Sequence, residues 1–171
     1  VNDIKRTREN TNLAIRVSLL IGLPCAVGLF VLATPIIGLL YPNEPASVGG
    51  ILAIMAIGVV FLSLIQSFTS VLQGMGKAHI PVFNLFVGAA VKFVLTYVLT
   101  ALPSLNVKGA AISTVVAYVV AAVLDYFSVK KYLGLKFSVN DFLFRPLITA
   151  GIMGIIARVT YVLTVPFVGN S

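Results

Sequence analysis

The chain has 171 residues, 59% of them apolar and only 10% charged, and its mean hydropathy is +1.07. An ordinary soluble domain is about 45–50% apolar and about 25% charged, and a globule of this size keeps too much surface wet to hide the excess. Composition therefore excludes a soluble enzyme, a nucleic-acid-binding domain and a disordered tail, and the net charge of +7 reads as membrane topology, because Lys and Arg collect on the cytoplasmic side.

Residues 1–16 are polar and charged, do not read as a signal peptide, and begin with Val rather than Met, so the chain is expected to start inside a longer protein. Ile4, Leu13 and Ile15 alternate there with Lys5, Arg6, Arg8 and Arg16. Two readings stand. The segment lies along the cytoplasmic interface, or it is a cytoplasmic loop leaving a preceding helix.

Crossing about 30 Å of hydrocarbon takes about 20 apolar residues in a helix. Five such stretches follow, at residues 17–40, 49–72, 81–101, 109–129 and 146–165, forming one transmembrane bundle over 17–171. The predicted class is all-α, a polytopic helical membrane bundle. The stretches are continuous rather than alternating, which argues against β-barrel strands.

The first stretch contains Gly22, Pro24, Gly28, Thr34 and Pro35. An interior Pro removes a backbone hydrogen bond and clashes with the preceding turn. Bent helices of this kind occur where transporters wrap a substrate, but prolines are also simply commoner in membrane helices. Cys25 reads as a small apolar filler; as the sole Cys it makes no internal disulfide and no multi-cysteine zinc site. The second stretch carries Ser63, Gln66, Ser67, Ser70 and Gln73 on one face. That face is helix–helix glue, worth about 0.6–2 kcal/mol per bond, or the lining of a cavity.

The turn Gln73-Gly74-Met75-Gly76-Lys77-Ala78-His79 leads to Pro81, well suited to a first helical turn. In the third stretch Asn84, Gly88, Lys92 and Thr96 form a stripe that precesses only about 40° per four-residue step. Lys92 sits about halfway along, where a Lys or Arg costs about 2.5–3.5 kcal/mol. It lines a hydrated path and meets an anionic group, or it snorkels to an interface or pairs with Asp125. The fourth stretch has small residues at strict spacing, Gly109, Ser113, Ala117 and Ala121, which permit close helix packing. Asp125 lies near its cytoplasmic end, followed by Lys130 and Lys131; a local ion pair and proton coupling are both open. In the fifth, Arg158 is close to the outer end and either snorkels or lines a pathway.

Nine Lys and Arg residues fall on one side: Lys5, Arg6, Arg8, Arg16, Lys77, Lys130, Lys131, Lys136 and Arg145. Only Lys108 falls on the other. The N-terminus of this segment is therefore expected to be cytoplasmic and the C-terminus outside. Catalytic motifs are absent: there is no nucleotide-binding loop, no His-Glu-x-x-His and no pair of acids on one helix face. No enzyme activity, cofactor or metal is expected.

The run 71–81, Val-Leu-Gln-Gly-Met-Gly-Lys-Ala-His-Ile-Pro, with Asn84, Gly88 and Lys92 after it, resembles the polysaccharide-biosynthesis exporters of the multidrug/oligosaccharidyl-lipid/polysaccharide superfamily. Within its mouse virulence factor branch it is similar to the stage V sporulation protein B type. Val107 to Thr114, Tyr118 and Lys130-Lys131-Tyr132-Leu133-Gly134 fit the family's C-terminal half. The resemblance implies about fourteen helices in two lobes around a central cavity, alternating access, and export of lipid-linked oligosaccharide such as an undecaprenyl-pyrophosphate-linked peptidoglycan precursor for the cell wall. This chain would be part of the C-terminal lobe; its partners would be the N-terminal lobe, membrane lipid and the lipid-linked sugar. Lys92, then Arg158, would offset the pyrophosphate charge, with Gln66, Gln73 and Asn84 as hydrogen-bond donors. Other readings are a multidrug or cation antiporter of the same superfamily, which wants a cavity carboxylate, and a membrane scaffold subunit without a transport cycle.

Overall fold

The computed structural model describes residues 2–42, 47–102, 105–133 and 150–161. They form five helices: α1 (Asn2–Leu40), α2 (Ser47–Gly74), α3 (His79–Thr100), α4 (Asn106–Leu133) and α5 (Ala150–Tyr161). The first four are long and apolar enough to cross a membrane; the described part of α5 is shorter. No strand occurs among the described residues.

Two helices outrun their apolar stretches. α1 begins at Asn2 rather than near residue 17, so the leading segment joins the first helix instead of standing apart. No Gly or Pro interrupts residues 2–21, and an established helix adds residues at little cost. α4 continues through Lys130 and Lys131 to Leu133, where cations face the carbonyl end of the helix dipole. Residues 43–46 and 134–149, and both ends of the fifth stretch, lie outside the described residues.

α1 packs on α2, α2 on α4, and α4 on α3, while α3 barely touches α2. α5 lies along α1, with Met153 against Gly28 and Val27 against Gly154. Large apolar side chains are buried at the end where α1 enters and α2 and α4 finish. There Ile15, Leu19 and Leu23 meet Phe68, Leu72, Val129, Leu133 and Ala150. Further along, the core thins to Ile65, Ala121 and Ala122. At the far end of α1, Leu39 is 84% exposed.

The α2–α3 turn closes as a Schellman motif. Lys77 N–H donates to Leu72 C=O and Gly76 N–H to Gln73 C=O, both at 2.9 Å. Gly76 has φ 73°, a conformation open to Gly at little cost. Lys77 then turns back, its Nζ 3.4 Å above the Tyr132 ring, and ties the turn to the end of α4.

Candidate functional site

The chain's polar groups gather along two helix seams. In the α3–α4 seam the small ridge predicted on α4 does close the packing, and it runs further than Ala121. Gly109, Ser113, Ala117, Ala121, Asp125 and Val129 are all buried at four-residue steps. α3 fits onto them in register. A Cβ at Gly109 would lie 2.8 Å from the Leu99 backbone. Thr96 and Ser113 share a hydrogen bond of 2.6 Å between their hydroxyls. A Cβ at Gly88 would lie 3.1 Å from the Ala117 carbonyl oxygen. Asn84 Nδ2 donates to Asp125 Oδ1 at 2.8 Å and to Ser128 Oγ at 3.2 Å.

Asp125 is 1% exposed, and its partner is a neutral amide. The expected pairing with Lys130 or Lys131 is not seen: both lysines are exposed, and the carboxyl points into the seam. Nor does Lys92 reach it. Lys92 is two helical turns from Asn84, which at 1.5 Å per residue is about 12 Å along the axis. Of the predicted stripe on α3, Asn84 and Gly88 are buried and Thr96 bonds across the seam, while Lys92 is exposed at its rim. Within the described residues Lys92 has no hydrogen-bond or ion-pair partner. It stands among exposed apolar neighbours, Phe93, Val94 and Tyr97.

The α1–α2 seam is polar too, but it stays partly open. Ser18 and Ser67 hydrogen-bond to each other across it. Ser63, Ser67 and Ser70 also donate back to the carbonyls of Val60, Ser63 and Gln66. Beside them runs a groove of about 540 Å³, lined by Asn10, Leu13, Ala14, Val17, Ser18, Gln66, Ser67 and Ser70. A recess of about 290 Å³ adjoins it and shares Asn10, Ala14 and Ser70. The polar face of α2 is thus divided: Ser67 is glue, whereas Gln66, Ser70 and Gln73 are exposed.

Arg158 on α5 borders two grooves along α1, of about 800 and 500 Å³, and Thr34 borders both as well. Its Nη1 donates to Val31 C=O at 3.5 Å, a long contact. Pro35, four residues on, has no N–H to give that carbonyl. The position was legible in the proline, although the sequence did not name the residue that would take up the freed acceptor. Among the described residues no three His, Cys, Asp or Glu side chains come together as metal ligands. The arrangement offers exposed cations, Lys92 without a partner among the described residues, and neutral donors beside apolar walls, which suits binding and passage rather than bond-making.

The family model for the lipid II flippase MurJ matches residues 1–169. Among curated proteins the chain is 26% identical over 129 residues to the uncharacterized membrane protein YabM of Bacillus subtilis (strain 168), covering 75% of this chain and 24% of that protein. It is 30% identical over 129 residues to stage V sporulation protein B of the same organism, with the same coverage. It is 28% identical over 120 residues to the uncharacterized membrane protein MJ1068 of Methanocaldococcus jannaschii, covering 70% and 23%. The chain thus spans about a quarter of the length of each of these relatives. No solved structure gives a significant match.

Proposed function

This chain belongs to the lipid II flippase MurJ family, a family of transporters rather than catalysts, and from that premise we propose that it walls the path by which a lipid-linked oligosaccharide or peptidoglycan precursor crosses the cytoplasmic membrane. It is a multi-pass membrane protein, with four helices among the described residues long and apolar enough to span. The proposed cycle is alternating access, with the remaining lobe of a longer protein facing α3. The proposed orientation puts the basic N-terminal end and the α2–α3 turn in the cytoplasm, from the nine-to-one distribution of Lys and Arg.

The observation that carries this reading is Lys92. It lies about 4 Å from the midpoint of α3, at 1.5 Å per residue, exposed and without a partner among the described residues. Lipid is a poor cover for a cation at that depth, where it costs about 2.5–3.5 kcal/mol. A hydrated cavity or an anionic headgroup offsets that cost, and a pyrophosphate is such a group. Arg158 is a second cation in the proposed path, and Gln66 and Gln73 offer exposed amides. Asn84 supports the path indirectly, because its Nδ2 is committed to Asp125 and Ser128. The antiporter reading has less support: Asp125, the acid it would use, is sealed inside the α3–α4 seam.

The test is transport of a fluorescent undecaprenyl-pyrophosphate-linked sugar in proteoliposomes, using the full-length protein that carries this segment. Lys92→Ala is expected to lower transport at least tenfold with normal folding, and Lys92→Arg to retain most of it. Normal transport by Lys92→Ala would remove Lys92 from the path. An unmodified protein that moves no lipid-linked sugar would defeat the flippase reading.

A further inference from the structure

We infer that the open α1–α2 groove is a docking site for the uncharged sugar portion of an amphiphile, an inference that rests on the flippase reading and assigns it a second binding surface. Three observations converge. First, the groove and its adjoining recess hold about 540 and 290 Å³, inside the range of about 300–1,000 Å³ typical of small-molecule sites when taken together. Second, no charged side chain lines either one among the described residues. Third, its exposed polar groups are amides and a hydroxyl. The side chains of Asn10 and Gln66 are not hydrogen-bonded within the described residues, and Ser70 gives its proton to Gln66 C=O while its oxygen can still accept.

Neutral donors and acceptors beside an apolar wall match a sugar ring, whose hydroxyls lie on its rim and whose C–H groups lie on its faces. Leu13 and Val17 supply the wall. Among the described lining residues a phosphate would find no cation, and hydrocarbon would leave two amides unpaired at a cost of about 1–3 kcal/mol each. Depth agrees with this. Gln66 lies eight residues from the end of α2 and Ser70 four, so the groove runs about 12 Å inward from one end of the bundle, at 1.5 Å per residue. By the charge count that end is cytoplasmic, and a headgroup arriving from that side would meet the groove well before the level of Lys92.

The inference is tested by single-cysteine accessibility, with the protein in lipid nanodiscs. Ser70→Cys is made in a Cys25→Ser background, since Cys25 is exposed and would react as well. Labelling by a membrane-impermeant maleimide is then timed with octyl N-acetylglucosaminide or octyl phosphate present. The expected result is ready labelling that the glycoside slows severalfold and the phosphate does not. Adding Gln66→Leu should raise the glycoside concentration needed by about fivefold, the size of one lost hydrogen bond.

Absence of labelling would mean that another helix seals the groove, and would overturn the inference. Equal protection by both amphiphiles would overturn it too, since the alkyl tail alone would then be the occupant. So would protection indifferent to Gln66→Leu. Because this readout needs no turnover, it fails separately from the transport assay. A protein that transports without glycoside protection loses the sugar site and keeps the flippase reading, and one that is protected without transporting does the reverse.

Discussion

The α3–α4 and α1–α2 seams are built from the same kinds of residue and differ in how much of their polar surface they enclose. Both carry Ser, Gly and an amide at three- or four-residue spacing. In the α3–α4 seam the backbones come so close that Gly109 has no room for a Cβ beside Leu99, and Asn84, Thr96, Ser113 and Asp125 satisfy one another across the contact. The α1–α2 seam is as close at its far end, where a Cβ at Gly49 would lie 2.9 Å from the Thr34 Cα, and the bond between Ser18 and Ser67 holds a point nearer the other end, but there Gln66 and Ser70 remain outside it. A polar stripe on a membrane helix is therefore ambiguous until its partner is known. Cross-seam pairing makes it a fastener, and exposed donors make it a surface for something else.

The largest effect that would break this contrast is expected from Gly109→Leu. Its Cβ alone would overlap the Leu99 backbone, and overpacking of this kind costs about 1–3 kcal/mol; a drop in thermal unfolding temperature in detergent is the readout. The matched change in the other seam, Gly22→Ala, meets the Ser63 side chain rather than backbone, its hydroxyl free to turn away and its Cβ at 3.2 Å, and should cost less than Gly109→Ala. If the two alanine variants unfold alike, the seams do not differ in closeness at these two points. Next comes Asn84→Ala, which leaves the buried Asp125 carboxyl without its donor and should destabilise by about 1–3 kcal/mol.

Gly76→Ala forces a left-handed conformation on a residue with a Cβ, for about 1–2 kcal/mol. Its effect should centre on the turn and be visible as faster hydrogen exchange at the amides of Gly76 and Lys77. The smallest change is expected from Ser67→Ala, about 0.6 kcal/mol, the average for an interhelical bond in a membrane protein. A loss there equal to that of Asn84→Ala would show the open seam to be as cooperative as the closed one.

Much of this was legible in the sequence. The small ridge on α4 announced itself at Gly109, Ser113, Ala117 and Ala121, and one further step of four would have placed Asp125 on it. The stripe on α3 was visible as well, but periodicity gives a face and not the helix that covers it. Only the register of α3 on α4 sends Asn84 to Asp125 and leaves Lys92 at the rim. The division of the α2 face into glue and groove is likewise a matter of where α1 lies. The early start of α1 escaped a reading based on hydropathy, because polar residues without Gly or Pro extend a helix as readily as apolar ones do.

The closed seam also bears on how the chain enters the bilayer. α3 and α4 are joined by only five residues, 101–105, and connections that short make antiparallel neighbours. Inserted singly, α3 would carry a bare Asn84 and α4 a bare Asp125 into hydrocarbon. Inserted as a hairpin, each conceals the other before water is left behind. The pair is thus its own chaperone: α4 expressed without α3 should be retained poorly in membranes, and Asp125→Leu should restore it.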